Sequence, residues 1–323
     1  MRSLVTGCAG FIGSHLTESL LADGEAVVGI DCFNDNYGRP EKLRNLERAT
    51  EWDQFEFIPI DLARGDLFDL VEECDQVFHL AAEPGVRPSW GGRFEQYVRN
   101  NVLATQHLLE AAKRLPERRF VFASSSSIYG QAEHFPTSED VVPHPYSPYG
   151  VTKLAAEHLC DLYHRNHGVS AVSLRLFSVY GPRQRPDMAF NIFCRAAILG
   201  EPVSVFGDGT QTRDFTYVGD VVTALRLASG AAGIEGQVLN IGGGSRVGLR
   251  EAIELLEQLA GRRLDVTYAD ARHGDVRDTC ADTGRAEAAL GFVPRTTLAD
   301  GLSAELEWTR ESLDAEAVTP SPG

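Results

Sequence analysis

The chain has 323 residues, 43% of them hydrophobic and 24% charged, a composition typical of a globular protein with room for two lobes. Thirty Lys and Arg against 46 Asp and Glu give a net charge of −16, which argues against a nucleic-acid partner. No apolar run approaches the roughly 20 residues of a membrane span, the six cysteines lack the spacing of a metal site, and the first predicted strand leaves no room for a leader peptide, so we expect a cytoplasmic protein.

Strand-like and helix-like segments alternate through the first half of the sequence. Short apolar runs predict strands, and apolar residues at helical spacing predict helices between most of them. This alternation predicts an α/β fold, a Rossmann-type doubly wound parallel sheet with helices on both faces. The predicted strands are residues 4–6, 26–30, 55–60, 77–80, 120–123 and 171–177, and the predicted helices are residues 11–22, 98–114 and a long helix that Ser147 caps and Gly168 ends.

The pattern changes after residue 177, where prolines interrupt it. We predict a smaller α/β second lobe from residues 178–213 and 242–311, with helices at 250–260 and 297–310. A helix-like stretch at 218–228 and a strand-like stretch at 238–241 predict that residues 214–241 return to the first domain, which otherwise covers residues 1–177. The composition of residues 312–323 predicts a disordered tail.

A glycine-rich turn joins the first predicted strand to the first helix. Gly7, Gly10 and Gly13 permit a tight turn and let backbone N–H groups at a helix N-terminus approach a pyrophosphate. Asp31 ends the second strand, where a carboxylate accepts the adenosine ribose hydroxyls and repels a 2′-phosphate. The sequence therefore predicts NAD, rather than NADP, as the cofactor. Asp61, after the third strand, is a candidate adenine contact, although taken alone it is an ordinary strand end.

Two further motifs predict catalysis. Tyr149 and Lys153 are four residues apart on the long helix and share one face. The Lys153 ammonium is expected to lower the pKa of the Tyr149 phenol from its free value of about 10 toward the neutral range that suits a general base. Four serines, residues 124–127, end the preceding strand at the edge where open parallel sheets bind ligands.

Together, these motifs resemble the extended short-chain dehydrogenase/reductase family of nucleotide-sugar epimerases and dehydratases. The resemblance covers residues 2–310 and implies Ser125, Tyr149 and Lys153 as catalytic residues. It also implies a homodimer built on residues 98–114 and 148–166 of each subunit. The cofactor contacts that it implies are Gly7, Gly10, Phe11, Ile12, Gly13, Asp31, Asn34, Asp61, Leu62, Leu80, Ala81, Ala82 and Asn101, with Tyr149 and Lys153 at the nicotinamide end.

The resemblance further implies a UDP-sugar as the substrate, with the nucleotide held by the second lobe. The implied contacts are Val205 and Phe206 to the uracil, Arg213 and Arg272 to the diphosphate, and Asp275 to the ribose. Guanidinium groups suit a diphosphate because they donate paired hydrogen bonds.

Finer matches indicate the sugar. Dehydratases carry Asp-Glu at the positions of Ser126 and Ser127, and decarboxylases carry Glu at the position of Ser127. Both acids are missing here, which argues against these two activities. Residues 31–37, 85–87 and 181–189 resemble UDP-glucuronic acid 4-epimerases, with departures at Pro88 and at Arg183-Gln184. The predicted substrate contacts are Arg87 and Met188, Ser125 at the sugar O4, the hydroxyls of Ser124, Ser126 and Ser178 as a clamp for a uronate carboxylate, and Arg185 as a second candidate for that clamp.

The predicted reaction is the NAD-dependent C4 epimerisation of UDP-glucuronate to UDP-galacturonate through a 4-keto intermediate. Three alternatives stay open at this point: a UDP-glucose/UDP-galactose 4-epimerase, a UDP-glucuronate decarboxylase, and an NAD-binding sensor without catalytic activity.

Overall fold

A computed structural model describes residues 1–34, 37–65, 67–270 and 274–318, of which residues 317 and 318 are described by their backbone alone. The described strands are β1 (Arg2–Thr6), β2 (Ala26–Ile30), β3 (Phe55–Ile58), β4 (Gln76–His79), β5 (Arg119–Ser125), β6 (Ser170–Leu176), β7 (Val179–Tyr180), β8 (Val203–Phe206), β9 (Thr212–Arg213), β10 (Thr216–Tyr217), β11 (Val238–Ile241), β12 (Val247–Gly248) and β13 (Val266–Ala269). Seven of them form the central parallel sheet, in the order β3-β2-β1-β4-β5-β6-β11.

Helices cover both faces of the sheet and build the second lobe. They are α1 (Phe11–Ala22), α2 (Arg39–Leu46), α3 (Phe68–Glu72), α4 (Phe94–Tyr97), α5 (Ala104–Ala112), α6 (Pro148–His167), α7 (Ala189–Leu199), α8 (Val218–Gly230), α9 (Leu249–Ala260), α10 (Gly284–Leu290) and α11 (Leu298–Val318). A π-helical turn, Val98–Leu103, joins α4 to α5. The predicted Rossmann-type fold is therefore confirmed, and the strand order reverses between β1 and β4, where such sheets bind ligands.

The two faces of the sheet have separate apolar cores, as burial on both sides of a parallel sheet requires. One contains Leu16 of α1 and Leu225 of α8 with Val5 of the sheet. The other contains Leu108 of α5 with Phe120 of β5. Each fully buried side chain of this size contributes about 1.5–3 kcal/mol to folding. This packing holds rigid the edge of the sheet from which the polar loops extend.

Helix α6 begins and ends as its sequence predicts. The Ser147 hydroxyl accepts a hydrogen bond from the N–H of Gly150 at 3.1 Å, and Pro148 occupies the first turn, where its missing N–H costs nothing. Gly168 ends the helix in the left-handed conformation, with φ +72°, and its N–H bonds the carbonyl of His164. The caps fix the position of the helix that carries Tyr149 and Lys153.

The second lobe has a core of its own, formed by α7, α9, α11 and the parallel pair β8–β13 around Phe190, Phe193, Leu256 and Leu302. Residues 214–241 contribute α8 and the edge strand β11 to the first domain, since β11 pairs with β6. The structure differs from the predicted lobe boundary at α10. Ala286, Leu290 and Phe292 belong to the core of the central sheet, because they present an apolar face to β11.

The predicted disordered tail is corrected by the structure, in which α11 continues to Val318. The helix is extended by good helix-forming residues and by ion pairs of Glu316 with Arg44 of α2 at 3.1 Å and with Arg195 of α7 at 3.6 Å. Residues 319–323 lie outside the described residues. None of the described helices combines the length and the apolarity that a bilayer crossing requires.

Candidate active site

A cleft of about 1000 Å³ lies between the two lobes, at the carboxyl ends of the parallel strands. The glycine turn lines one end, the serine run and α6 line the middle, and Phe206 and Arg213 of the second lobe line the other end. The structure brings the sequence-predicted site residues that it describes together in this cleft, except Asn101. Arg272 lies outside the described residues.

The glycine turn has no space for side chains. At Gly7, where φ is +72°, a Cβ would lie 2.9 Å from the backbone of Ala81. A Cβ on Gly13 would lie 2.1 Å from the carbonyl oxygen of Gly7. The turn therefore packs backbone against backbone and presents the N-terminus of α1, whose first turn carries no acidic residue, to the cleft. This arrangement suits a pyrophosphate, which needs backbone donors and the positive end of the helix dipole.

The adenosine end of the cleft contains a buried ion pair that the sequence motifs did not reveal. Asp31 Oδ1 accepts the N–H of Phe33 at 2.8 Å and the Lys42 ammonium at 3.2 Å. Lys42 also donates to Asn34 Oδ1 at 2.8 Å. A buried lysine is rare unless it is paired. Lys42 is one of three lysines in a chain rich in arginine, and that scarcity is the sequence signal that points to it.

The nicotinamide side differs from the prediction at Asn101. Its side-chain oxygen accepts the N–H of Glu83 at 2.6 Å, and its amide donates to Thr152 on α6 at 2.9 Å, so it is committed to the protein. Asn100 lines the cleft instead. The π-helical turn explains the difference, because its wider winding rotates these residues relative to an α-helix, and such turns occur frequently at functional sites.

Asp61 lines the cleft with part of its carboxylate already paired. Its Oδ1 accepts the N–H of Ala63 at 3.0 Å, and its Oδ2 pairs with Arg99 on the π-helical turn. The carboxylate thus links the segment after β3 to this turn, and its role as an adenine contact stays a prediction.

The three predicted catalytic residues meet in the middle of the cleft. Burial raises the pKa of Tyr149, and a hydrogen bond with Ser125 and the charge of Arg185 act in the lowering direction. Burial lowers the pKa of Lys153 to about 8. The sequence motif assigned the phenol's positive neighbour to Lys153, whereas among the described residues the charge that acts to lower the pKa of Tyr149 is that of Arg185. Arg185 belongs to the loop after β7 and lines the cleft.

The serines of the proposed carboxylate clamp are not equivalent. The Ser124 hydroxyl donates to Glu157 at 2.6 Å, so its one proton is used and it has none to offer an anion. Within the described part of the chain, the hydroxyls of Ser126 and Ser178 line the cleft without a protein hydrogen-bond partner. Arg185 pairs with Asp187 through two 2.9 Å contacts and also lines the cleft. The structure therefore removes Ser124 from the clamp and leaves the other three.

At the nucleotide end, one arginine bridges the two lobes. Arg87 follows β4 and donates to Asp275 of the second lobe at 2.6 Å, and its guanidinium carbon lies 4.4 Å from the ring centre of Phe206. Arg213 donates to three backbone carbonyls, one of them that of Val276 at 2.7 Å. The cleft mouth thus has cations beside an aromatic ring, a combination that suits an anionic nucleotide.

The sequence profile of the NAD dependent epimerase/dehydratase family matches residues 3–242. This chain belongs to that family. The match also confirms the predicted resemblance to the extended short-chain dehydrogenases.

Individual members of the epimerase/dehydratase family resemble this chain along nearly its whole length. A Bacillus subtilis relative named an uncharacterized UDP-glucose epimerase is 44% identical and covers 95% of this chain and 98% of its own. The UDP-glucuronate 4-epimerase of Thermodesulfobacterium geofontis is 37% identical and covers 96% and 97%. The crystal structure of UDP-glucuronic acid 4-epimerase from Bacillus cereus with UDP-glucuronic acid and NAD superposes with a TM-score of 0.94, at 43% identity over 97% of this chain and 100% of that one.

Proposed function

We propose that this protein is an NAD-dependent UDP-glucuronate 4-epimerase, which interconverts UDP-glucuronate and UDP-galacturonate. The main observation behind the proposal is that Tyr149 and Ser125 line one cleft with the glycine turn, Ser126, Ser178 and Arg185. Similarity to epimerases named for this substrate supports it.

The glycine-lined end of the cleft fits a dinucleotide. The glycine turn lines the cleft at the N-terminus of α1, where a pyrophosphate would bind, and Asp31 with Lys42 offers an acceptor and a donor to a ribose diol. NAD bound there would supply the hydride acceptor and, once reduced, the hydride donor. Because the cofactor ends unchanged, we expect it to stay bound through turnover.

As the phenolate, Tyr149 would accept the proton of the sugar O4. Ser125 would hydrogen-bond to the same oxygen. Arg185 favours the phenolate, because its positive charge acts to lower the pKa of Tyr149. After oxidation at C4, the 4-keto sugar would rotate in the cleft so that the opposite face of C4 receives the hydride, and Tyr149 would return the proton to O4. The positioned general acid–base pair contributes about 10²–10⁴-fold to such a rate.

A uronate makes a second demand on the site. The 4-keto intermediate is a β-keto acid, which loses CO₂ when the bond to the carboxylate aligns with the carbonyl π system. The site must hold the carboxylate out of that alignment. We assign this role to the hydroxyls of Ser126 and Ser178 and to Arg185.

A UDP-glucose/UDP-galactose 4-epimerase is the second candidate, favoured by the name of the Bacillus subtilis relative. Incubation of the purified protein with UDP-glucuronate and with UDP-glucose, side by side and without added NAD, separates the possibilities by NMR of the products. We expect UDP-galacturonate from the first. Turnover of UDP-glucose alone would support the second candidate, and a pentose product would support decarboxylation. If Tyr149→Phe and the wild type behaved equally towards both UDP-sugars, the protein would be an NAD-binding sensor without catalytic activity.

The proposal also includes an oligomeric state and a cellular location. A homodimer built on residues 98–114 and 148–166 is supported by large apolar side chains that both segments expose, among them Leu103 and Leu162. A cytoplasmic location is supported by the six cysteines, all of which are free thiols.

A further inference from the structure

A buried carboxylate lies beside the proposed catalytic residues without a part in the mechanism above. Glu157 is on α6, one turn after Lys153 and two turns after Tyr149, and only 4% of it is exposed. It accepts three hydrogen bonds, from Ser124 Oγ at 2.6 Å and from Arg175 Nε and Nη2 at 3.1 and 2.6 Å. A buried charge that is fully paired in this way holds its neighbours in one geometry.

The partners of Glu157 come from the two strands that end in the site. Ser124 precedes Ser125 at the end of β5, and Arg175 is in β6, three residues before Ser178. Arg175 Nη1 donates to the Tyr129 hydroxyl at 2.6 Å, which donates to Asn240 on β11 at 2.7 Å. One carboxylate therefore ties α6 to β5 and β6, and through Arg175 to the sheet edge.

Glu157 also affects the charge of Lys153, as the groups around that lysine show. From α6, Lys153 faces Glu157 and Cys160, and from β4 it faces His79. Burial raises the pKa of the Cys160 thiol and lowers the pKa of His79 to about 3, so both are neutral. Arg175 of β6 binds Glu157 directly. Of the described groups that face Lys153, Glu157 is thus the anion.

We propose that Glu157 is a positioning residue of the hydride-transfer site: it fixes the end of β5 through Ser124 and keeps Lys153 in its ammonium form. This role rests on the proposed function, since it acts through Lys153 and Ser125. Glu157 itself does not line the cleft.

The test uses the three lysines of the chain, which give three signals in the NMR spectrum of holoenzyme labelled with [ε-¹³C]lysine. Lys113→Arg and Lys153→Met variants assign them. We expect Glu157→Gln to lower the pKa of Lys153 by roughly one pH unit, because an opposite charge nearby is lost. The alkaline limb of the pH–rate profile is expected to move down by the same amount. Glu18→Gln, which removes an arginine-paired carboxylate from α1, is the matched control and leaves the Lys153 titration unchanged.

A double variant, Glu157→Gln with Arg175→Met, separates this role from a merely structural ion pair. It removes both buried charges, so it folds even where the single variant leaves Arg175 unpaired. The proposal requires the Lys153 pKa to stay lowered in the double variant. An unchanged Lys153 titration in both variants, or its full recovery in the double variant, would overturn it. The titration needs no turnover, so a wild type inactive on UDP-glucuronate would contradict the proposed function without affecting this test.

Discussion

Arg185 has two roles in the proposed chemistry, one towards the Tyr149 phenolate and one towards the substrate carboxylate. Its guanidinium is held by two contacts to Asp187 and lines the cleft, and its charge lowers the pKa of Tyr149. A cation in that place favours both the phenolate and a substrate carboxylate. Its neighbour Arg183 is turned away and pairs with Glu18 of α1 at 2.6 Å.

This placement predicts the effect of removing the Arg185 charge. Arg185→Met should raise KM for UDP-glucuronate by about 10- to 100-fold, because a hydrogen bond to a charged group contributes about 1.5–3 kcal/mol. KM for UDP-glucose should change much less. Steady-state kinetics on both substrates measure the difference. Arg183→Met is the matched control and should affect the two substrates equally, and an equal rise of KM in Arg185→Met would contradict the assignment.

The sequence predicted site residues wherever a steric requirement or a characteristic spacing identifies the residue. Gly7 and Gly13 are required by close backbone contacts, and Tyr149 and Lys153 by their spacing. Their positions in the cleft follow from the local chain alone. Ser124 and Lys42 were not readable, because the partner that decides the role of each is distant or unmarked in sequence. Ser124 is committed to Glu157, which is 33 positions away in the chain.

Helix α11 carries an ionisable group into the core of the second lobe. The Glu305 carboxylate accepts the N–H of Gly181 at 2.9 Å, at the start of the loop that bears Arg185. Burial raises the pKa of Glu305 to about 8. The folded protein therefore keeps this proton between pH of about 4.5 and about 8, whereas the unfolded chain releases it.

The raised pKa predicts a specific pH dependence of stability. Over that interval the folded state binds more protons than the unfolded state, so the Glu305 contribution to the free energy of unfolding falls as the pH rises, by up to about 1.4 kcal/mol per pH unit. Glu305→Gln should remove this slope. The free energy of unfolding of the variant, relative to that of the wild type, should therefore be higher at pH 8 than at pH 5. Urea unfolding at the two pH values measures it. Parallel loss in both proteins would show that Glu305 is ionised in the folded state.

Elements whose ends carry their own signals were predicted closely. Ser147 and Gly168 define α6, and the glycine turn defines the start of α1. The π-helical turn was not predicted, because apolar spacing does not distinguish it from an α-helix. The extension of α11 depends on ion pairs of Glu316 with α2 and α7, which no local pattern shows.

The proposed homodimer predicts the behaviour of the whole molecule in solution. Leu162 on α6 is 52% exposed, and Val293, outside both proposed interface segments, is exposed to the same extent. Leu162→Asp should produce monomers, because a carboxylate buried in an apolar interface is unfavourable. Val293→Asp should leave the dimer intact. Sedimentation velocity distinguishes the species, and a monomeric wild type would contradict the proposed interface.

At the scale of the molecule, the order of elements predicted the Rossmann-type sheet and the existence of a second lobe. The bridge between the lobes from Arg87 to Asp275 depends on tertiary structure and was not predictable. The same holds for the packing of α10 on the central sheet. The cleft therefore follows from the fold, but its polar surface is decided by residues far apart in sequence.

In the proposed reaction, one hydride leaves C4 of the sugar and returns to the same carbon while the intermediate stays in the cleft. UDP-glucuronate that carries deuterium at C4 reports on this transfer, with mass and NMR analysis of the equilibrated product in ordinary water. We expect UDP-galacturonate that retains the deuterium at C4. Loss of the deuterium to solvent would show that the hydride does not return to the carbon it left.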